Sequence, residues 1–133
     1  MEIAGYKLTE PENIDTPAFL VYEEMAHHNI REIVRICGSP ERVVTHVKTH
    51  KSPEVLKLQI AAGLTSFKCA TIREAELLAE NGVKEIIISY PLVHPMKLRS
   101  LVKLIDLYPD IVFKAIASTA EHLTSLSDVA TAA

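Results

Sequence analysis

The sequence predicts an α/β fold in which four strand–helix units build a parallel sheet. Short β-rich runs alternate four times with helical stretches that carry their own start and stop signals. The 133 residues are 48% hydrophobic and 23% charged, which is typical of one globular domain. The run 85–90 is nearly all apolar, as expected of a strand that is covered on both faces. Such alternation favours parallel strands with right-handed crossovers.

The chain before the repeat divides at a Thr-Pro pair. Residues 1–15 form a polar N-terminal segment, and the Thr-Pro pair predicts a break in regular structure. The apolar run 18–22 predicts a strand. From 23 to 37 apolar residues recur at three- and four-residue steps, which predicts a helix.

Four strand–helix units follow this helix. Ser52 is the expected N-cap of the first helix of the repeat and Gly63 its stop signal, while Thr71 opens a capping-box pattern with Glu74 for the second. The predicted strands are 43–48, 65–70, 85–90 and 111–117, and the predicted helices are 53–62, 71–80, 94–107 and a last one from 118.

The length leaves the architecture of the sheet open. A flavodoxin-like sheet of four or five strands suits 133 residues, whereas a closed eight-stranded barrel needs about 250. The final residues, 128–133, come where a fifth strand is expected. We therefore also expect the chain to be truncated relative to a larger fold.

Composition and charge exclude several classes of function. A formal net charge of -3 with 5% aromatic residues is unlike a nucleic-acid-binding protein. No apolar run approaches the roughly 20 residues that span a membrane, and the N-terminus does not resemble a signal peptide, so we expect a cytoplasmic protein. The two cysteines, Cys37 and Cys69, provide neither a disulfide framework nor a zinc site.

The densest polar cluster, 45–54, lies at the end of the first strand of the repeat. His46 and Lys48 are expected on one face of that strand, at the edge where parallel α/β sheets bind ligands. A lysine that points inward there would be partly desolvated, which lowers the pKa of an amine towards the range in which it attacks a carbonyl. Lys48 is therefore a Schiff-base candidate. The alternative is that Lys48 and Lys51 are solvated residues of a loop before a helix.

Several segments together resemble the N-terminal part of the D-threonine aldolase and D-serine dehydratase family. These enzymes depend on pyridoxal phosphate (PLP) and share the fold type III architecture of alanine racemase. The resemblance extends from about residue 15 to residue 104, and its most specific part is His-Val-Lys-Thr-His-Lys-Ser-Pro-Glu. The matching segments are 15–21, 29–30, 46–54, 69–71 with 74–76, and 86–93.

The resemblance implies the first half of a (β/α)8 TIM barrel, about four βα units preceded by a strand and a helix. Residues 16–133 would form a partial alanine-racemase-like, PLP-binding barrel domain. The strand at 18–22 would pair with the family's C-terminal β-domain. That domain and the rest of the barrel belong to a longer chain, which would also supply the residues that bind the cofactor phosphate and the ligands of a divalent metal ion.

The resemblance also implies an activity and a role for Lys48. The family members are amino-acid lyases, so we expect a D-threonine aldolase-like or D-serine dehydratase-like enzyme that acts on D-3-hydroxy amino acids, with Lys48 as the Schiff-base lysine. The 133-residue chain by itself is expected to be inactive. Val44 and Thr45 stand where the family has Arg-Pro, so the subfamily stays open. The alternatives are an amino-acid racemase, a PLP-binding homeostasis protein without turnover, and an inert half-barrel.

His50, Thr71 and Tyr90 are the further candidates for cofactor binding. His50 is as well explained as a histidine that hydrogen-bonds a loop, Thr71 as a helix cap, and Tyr90 as a residue that ends a strand. No metal site is expected within this sequence, because His46 and His50 do not share a face on a strand that runs into a loop. The expected partners are a small amino-acid substrate and a second copy of the chain in a homodimer, with no nucleic acid and no membrane.

Overall fold

The protein is described by a computed structural model that covers residues 2–3 and 5–132, with side chains for 5–132. The strands are β1 (Glu2–Ile3), β2 (Tyr6–Lys7), β3 (Val44–His46), β4 (Ser66–Cys69), β5 (Glu85–Ile88) and β6 (Val112–Ala115). The helices are α1 (Glu23–Cys37), α2 (Pro53–Ala61), α3 (Ile72–Glu80), α4 (Pro95–Leu107) and α5 (Ala120–Thr131). Short 3-10 helices lie at Pro11–Asn13, Pro40–Arg42 and Val47–Thr49.

The main sheet has four parallel strands in the order β3-β4-β5-β6. Each strand is followed by a helix, so the prediction of four βα units is confirmed. The sequential order also decides between the two predicted architectures. A flavodoxin-like sheet places its second strand outside the first, whereas the wall of a barrel keeps the strands in chain order. The sheet therefore has the topology of the first half of a (β/α)8 barrel.

Burial alternates along the central strands of this sheet. Phe67 and Cys69 on β4 and Ile86 and Ile88 on β5 are fully buried, while the residues between them are only half-buried. Because side chains alternate between the two faces of a strand, one face is packed and the other is more open. One face of the third predicted strand is therefore fully covered as expected, and the other face is only partly covered.

Two predicted strand boundaries also need correction. The run 18–22 is not a strand, because no other strand of the described chain hydrogen-bonds to it, and Phe19 within it is 71% exposed. The predicted strand 43–48 ends at His46, since the following residues turn into a 3-10 helix. The imidazole of His46 stabilises that turn by accepting a hydrogen bond from the backbone N–H of Lys48.

The N-terminal segment contains a small hairpin. β1 and β2 pair in antiparallel fashion, and Gly5 between them has a φ of 83°, which a residue with a side chain rarely adopts. The ring of Tyr6 stacks on the ring of Tyr22 with centroids 4.2 Å apart, so the hairpin contacts the segment that leads into α1. The division into 1–15 and 16–133 stays a prediction. No helix among the described residues is long and apolar enough to cross a membrane.

Candidate cofactor site

The ends of three strands meet at the carboxyl edge of the sheet. Nε2 of His46, at the end of β3, lies 3.4 Å from Oγ of Ser89, which directly follows β5. The Ser89 hydroxyl donates a 3.0 Å hydrogen bond to the backbone carbonyl of Cys69, the last residue of β4. This chain of contacts places the turns after β3, β4 and β5 along one edge.

Hydrogen bonds fix the tautomer of His46. Its Nδ1 accepts the N–H of Lys48 at 3.2 Å, so in the neutral ring the proton is on Nε2 and points towards Ser89. Burial is the main cause that lowers the pKa of His46, and the nearby positive charge of Lys48 acts in the same direction. The negative charge of Glu74 opposes both. A neutral imidazole at neutral pH agrees with these hydrogen bonds.

Lys48 lies on the 3-10 turn directly after β3, and its side chain is exposed. The expected burial of this lysine is therefore wrong for this chain, because the strand ends two residues earlier and Lys48 does not share a strand face with His46. Within the part of the chain that the structure describes, Nζ of Lys48 makes no hydrogen bond and no ion pair. An accessible, unpaired amine stands at the edge where the strand ends converge.

Two of the other predicted site residues lie at the same edge. Thr71 is two residues beyond the end of β4, and its Oγ1 accepts the N–H of Glu74 at 3.2 Å as the N-cap of α3. Tyr90 is two residues beyond the end of β5 and is 66% exposed. No hydrogen bond between Lys48, Thr71 and Tyr90 occurs among the described residues. Their roles in cofactor binding stay predictions.

His50 lies in a different environment, at the entrance to α2. It lines a groove of about 630 Å³ together with Phe19 and Lys51. Its Nδ1 accepts the N–H of Ser52 at 3.0 Å, and burial lowers the pKa of the imidazole. Nε2 is buried without a hydrogen-bond partner of good geometry, although the side chain of Gln59 is close enough to affect the pKa of the ring. These contacts agree with the alternative in which His50 orders the loop.

A second lysine, not predicted from the sequence, lies beside His46. Lys68 on β4 is the cross-strand partner of His46, and its charge contributes to the lowered pKa of that histidine. Lys114 lies farther along the same row, on β6, and pairs with Glu85. The alternation of the predicted strands could have revealed this row, because residues at matching positions of neighbouring parallel strands share a face.

Among the described residues, neither a reactive cysteine nor a metal-binding group lies at this edge. Burial raises the pKa of the Cys69 thiol to about 12, which agrees with its predicted role as a small core residue. Among residues 5–132, no group of three or more His, Cys, Asp or Glu side chains could hold a metal ion. The described residues therefore do not fit a divalent metal ion.

Comparison with known protein families shows which family the chain belongs to. Residues 23–131 match the family described as alanine racemase, N-terminal domain. The chain belongs to this family. It is thereby a member of the fold type III group of PLP-dependent proteins, as the resemblance in the sequence indicated, and its sheet corresponds to the first part of the barrel.

Curated relatives and solved structures agree with this assignment. The chain is 30% identical over 95 residues to a 3-hydroxy-D-aspartate aldolase of Paracoccus denitrificans, covering 68% of this chain and 24% of that protein. It is 33% identical over 87 residues to alanine racemase 1 of Caldanaerobacter subterraneus subsp. tengcongensis, covering 62% and 22%. The crystal structure of D-threonine aldolase from Filomicrobium marinum superposes with a TM-score of 0.76 at 25% identity, over 90% of this chain and 32% of that one.

A D-threo-3-hydroxyaspartate dehydratase variant shows the same fold. It superposes with a TM-score of 0.77 at 24% identity, over 90% of this chain and 30% of that one. The chain thus spans about a quarter of the length of the curated relatives and about a third of the solved structures.

Proposed function

We propose that this chain forms the lysine-bearing part of the PLP site of an amino-acid lyase that acts on D-3-hydroxy amino acids. The observation that carries the proposal is the exposed, unpaired Nζ of Lys48 at the edge where β3, β4 and β5 end. A cofactor with an aldehyde group is held by a bond to a lysine amine, so the residues present fit PLP. Bound there, PLP supplies an electron sink that allows a bond at the α-carbon of an amino acid to break.

The chain's own residues would support Lys48 in this role. The His46 ring accepts the N–H of Lys48, so it holds the turn that carries the lysine. On its other side the ring holds a proton on Nε2, directed at Ser89, away from the Lys48 backbone. Thr71 and Tyr90 follow the neighbouring strands and would line the cofactor ring, and His50 would order the entrance to α2.

The substrate class is argued from the relatives. One relative, 30% identical over 95 residues, is a 3-hydroxy-D-aspartate aldolase, and a D-threonine aldolase superposes over 90% of this chain at 25% identity. Similarity to an alanine racemase supports a second candidate, an amino-acid racemase. A homodimer, a divalent metal ion and a cytoplasmic location stay predictions.

Cofactor binding is tested by titrating PLP into the chain and following the circular dichroism of the cofactor. We expect a signal from wild type that is lost in Lys48→Ala and retained in Lys57→Ala, which removes an exposed lysine of α2 as a matched control. A signal that survives in Lys48→Ala, or no signal from wild type, would contradict the proposal.

Product analysis then separates the candidate activities. Aldol cleavage of a D-3-hydroxy amino acid releases an aldehyde and glycine, dehydration releases a keto acid and ammonia, and racemisation gives the L-enantiomer. A form of the protein as long as its relatives is expected to yield the first or second set. We expect no turnover from the 133 residues alone, because they span only 24% of the 3-hydroxy-D-aspartate aldolase. Turnover by the 133 residues that disappears in Lys48→Ala would overturn this last expectation.

A further inference from the structure

The buried carboxylate of Glu74 joins the turns that follow β3 and β4. Glu74 lies in the first turn of α3 and is 5% exposed. Its Oε2 accepts a 2.7 Å hydrogen bond from the N–H of Ala70, the residue after β4. Its Oε1 lies 3.3 Å from Nζ of Lys51, in the turn after β3. One side chain therefore holds both turns.

This arrangement differs from the capping box that the sequence predicts. The hydroxyl of Thr71 accepts the N–H of Glu74, as a capping box requires. The carboxylate of Glu74 would normally return to the N–H of Thr71. It bonds instead to the N–H of Ala70, one residue earlier, and its second oxygen pairs with Lys51. The carboxylate thus reaches beyond its own helix into the turn that carries Lys48.

Lys51 ends that turn in an unusual backbone conformation. Its φ is 49°, in the left-handed region that a non-glycine residue rarely adopts. The N–H of Lys51 donates to the carbonyl of Val47 at 2.8 Å, which encloses Lys48 within the turn. Strained conformations of this kind persist only where surrounding contacts hold them. The ion pair with Glu74 is such a contact.

The negative charge of Glu74 also suits it to hold the turn that ends at Lys51. Burial by itself raises the pKa of this carboxyl, but the N–H of Ala70 and the ammonium of Lys51 outweigh it, and the pKa lies below its ordinary value. The carboxylate is therefore ionised at neutral pH. Its charge also acts on His46, whose ring caps the start of the same turn.

We propose that Glu74 is a positioning residue that, by holding Lys51, fixes the turn that presents Nζ of Lys48 at the sheet edge. Glu74 acts through Lys51 and touches neither cofactor nor substrate. The inference rests on the proposed function in so far as Lys48 is the lysine that holds PLP.

Amide hydrogen exchange tests the positioning without any cofactor. Glu74→Gln keeps an oxygen that can accept the N–H of Ala70 but removes the charge that holds Lys51. The amides of residues 48–51 should exchange roughly twofold to fivefold faster, the change expected when an ion pair with one exposed partner is lost. Glu76→Gln is the matched control, because it breaks an exposed ion pair with Arg73 on the same helix and should leave these amides unchanged. Unchanged exchange in Glu74→Gln would overturn the proposal.

Two substitutions at the other end of the ion pair check the result. Lys51→Met leaves the hydrogen bond between Glu74 and Ala70 intact and should accelerate exchange as much as Glu74→Gln. Lys51→Arg keeps the charge and should restore exchange to near the wild-type rate. Slow exchange in Lys51→Met would show that Lys51 does not transmit the effect of Glu74, which overturns the inference even if Glu74→Gln has folded poorly.

A second measurement asks whether the fixed turn matters for cofactor attachment. PLP is added, the bond that it forms to Lys48 is trapped with borohydride, and the rate of labelling is compared between variants. We expect attachment in Glu74→Gln to be roughly tenfold to hundredfold slower, as for a reactive group that is misplaced by about an ångström. If wild type and Glu74→Gln are labelled at Lys48 at the same rate, the positioning inference is wrong while the proposed function stands. If wild type is not labelled at all, the proposed function is wrong, and the exchange experiment still decides whether Glu74 fixes the turn.

Discussion

Neighbouring isoleucines on β5 provide a matched test of which face of the sheet is covered. Ile86 is 0% exposed on the packed face, whereas Ile87 is half-buried on the opposite face. Replacing either by Ala removes the same atoms from the same strand, so the loss of intrinsic strand preference is common to both. The difference between the two variants therefore reports how fully each side chain is buried and how large a cavity its loss leaves.

The size of the effect follows from the buried atoms. Ile→Ala removes about three methylene equivalents, worth roughly 2.4 kcal/mol when fully buried, and the cavity that remains brings such losses to about 2–5 kcal/mol. Ile86→Ala should lie in that range. Most of the Ile87 side chain is still buried, so Ile87→Ala should lose about two thirds or more of that transfer free energy, about 1.5–2 kcal/mol, but with a smaller cavity cost than at Ile86.

Urea unfolding followed by far-ultraviolet circular dichroism measures both values, since the sequence has no tryptophan. The free energy of unfolding should fall further in Ile86→Ala than in Ile87→Ala, by about 0.5–3 kcal/mol, because only Ile86 leaves a fully enclosed cavity. Equal losses would mean that the face carrying Ile87 is covered as well, for example by another copy of the chain, and would refute the account of an open sheet face.

Three further predictions follow from burial, capping and charge. A thiol reagent should modify half-buried Cys37 in the native protein but reach Cys69 only on unfolding, because Cys69 is fully buried and its pKa is raised to about 12; mass spectrometry of the labelled peptides checks this. Ser52→Ala should cost about 1 kcal/mol in urea unfolding, since the hydroxyl caps α2 by accepting the N–H of Val55. The pKa of His50 is lower in the folded than in the unfolded chain, so stability should fall as pH drops through about 6.5, and His50→Gln should weaken this dependence in unfolding measured at several pH values.

Much of the fold was predictable from local signals. The four βα units follow from strand-like runs and strong helix boundaries, and the structure confirms both the Ser52 cap and the left-handed Gly63 that follows α2. Sequential strand order was not predictable from those signals, because periodicity does not say which strands are neighbours. The family resemblance supplied it.

The errors at 18–22 and 43–48 have different physical causes. Apolar composition predicts an extended chain but not a hydrogen-bonding partner, and 18–22 has none among the described strands. At the end of β3, the side chain of His46 competes with the sheet for the backbone N–H of Lys48, and the strand turns into a 3-10 helix.

The candidate site was predictable in its position but not in its contacts. The sequence predicts Lys48, Thr71 and Tyr90 at this edge because Lys48 and Tyr90 end predicted strands and Thr71 directly follows one, and all three lie just beyond the strand ends in the structure. The ion pair between Glu74 and Lys51 joins residues 23 positions apart in the sequence, so it depends on how β3 and β4 pair. A capping-box pattern alone could not reveal it.

The central claim, that Lys48 is the lysine that holds PLP, is tested most directly by mapping the attachment site. The chain is mixed with PLP, reduced with borohydride and digested, and the modified lysine is located by mass spectrometry, with Lys48→Ala as control. We expect a phosphopyridoxyl group on Lys48 and none in the variant. A label spread over Lys51, Lys57 and other exposed lysines, or a label unchanged in Lys48→Ala, would contradict it.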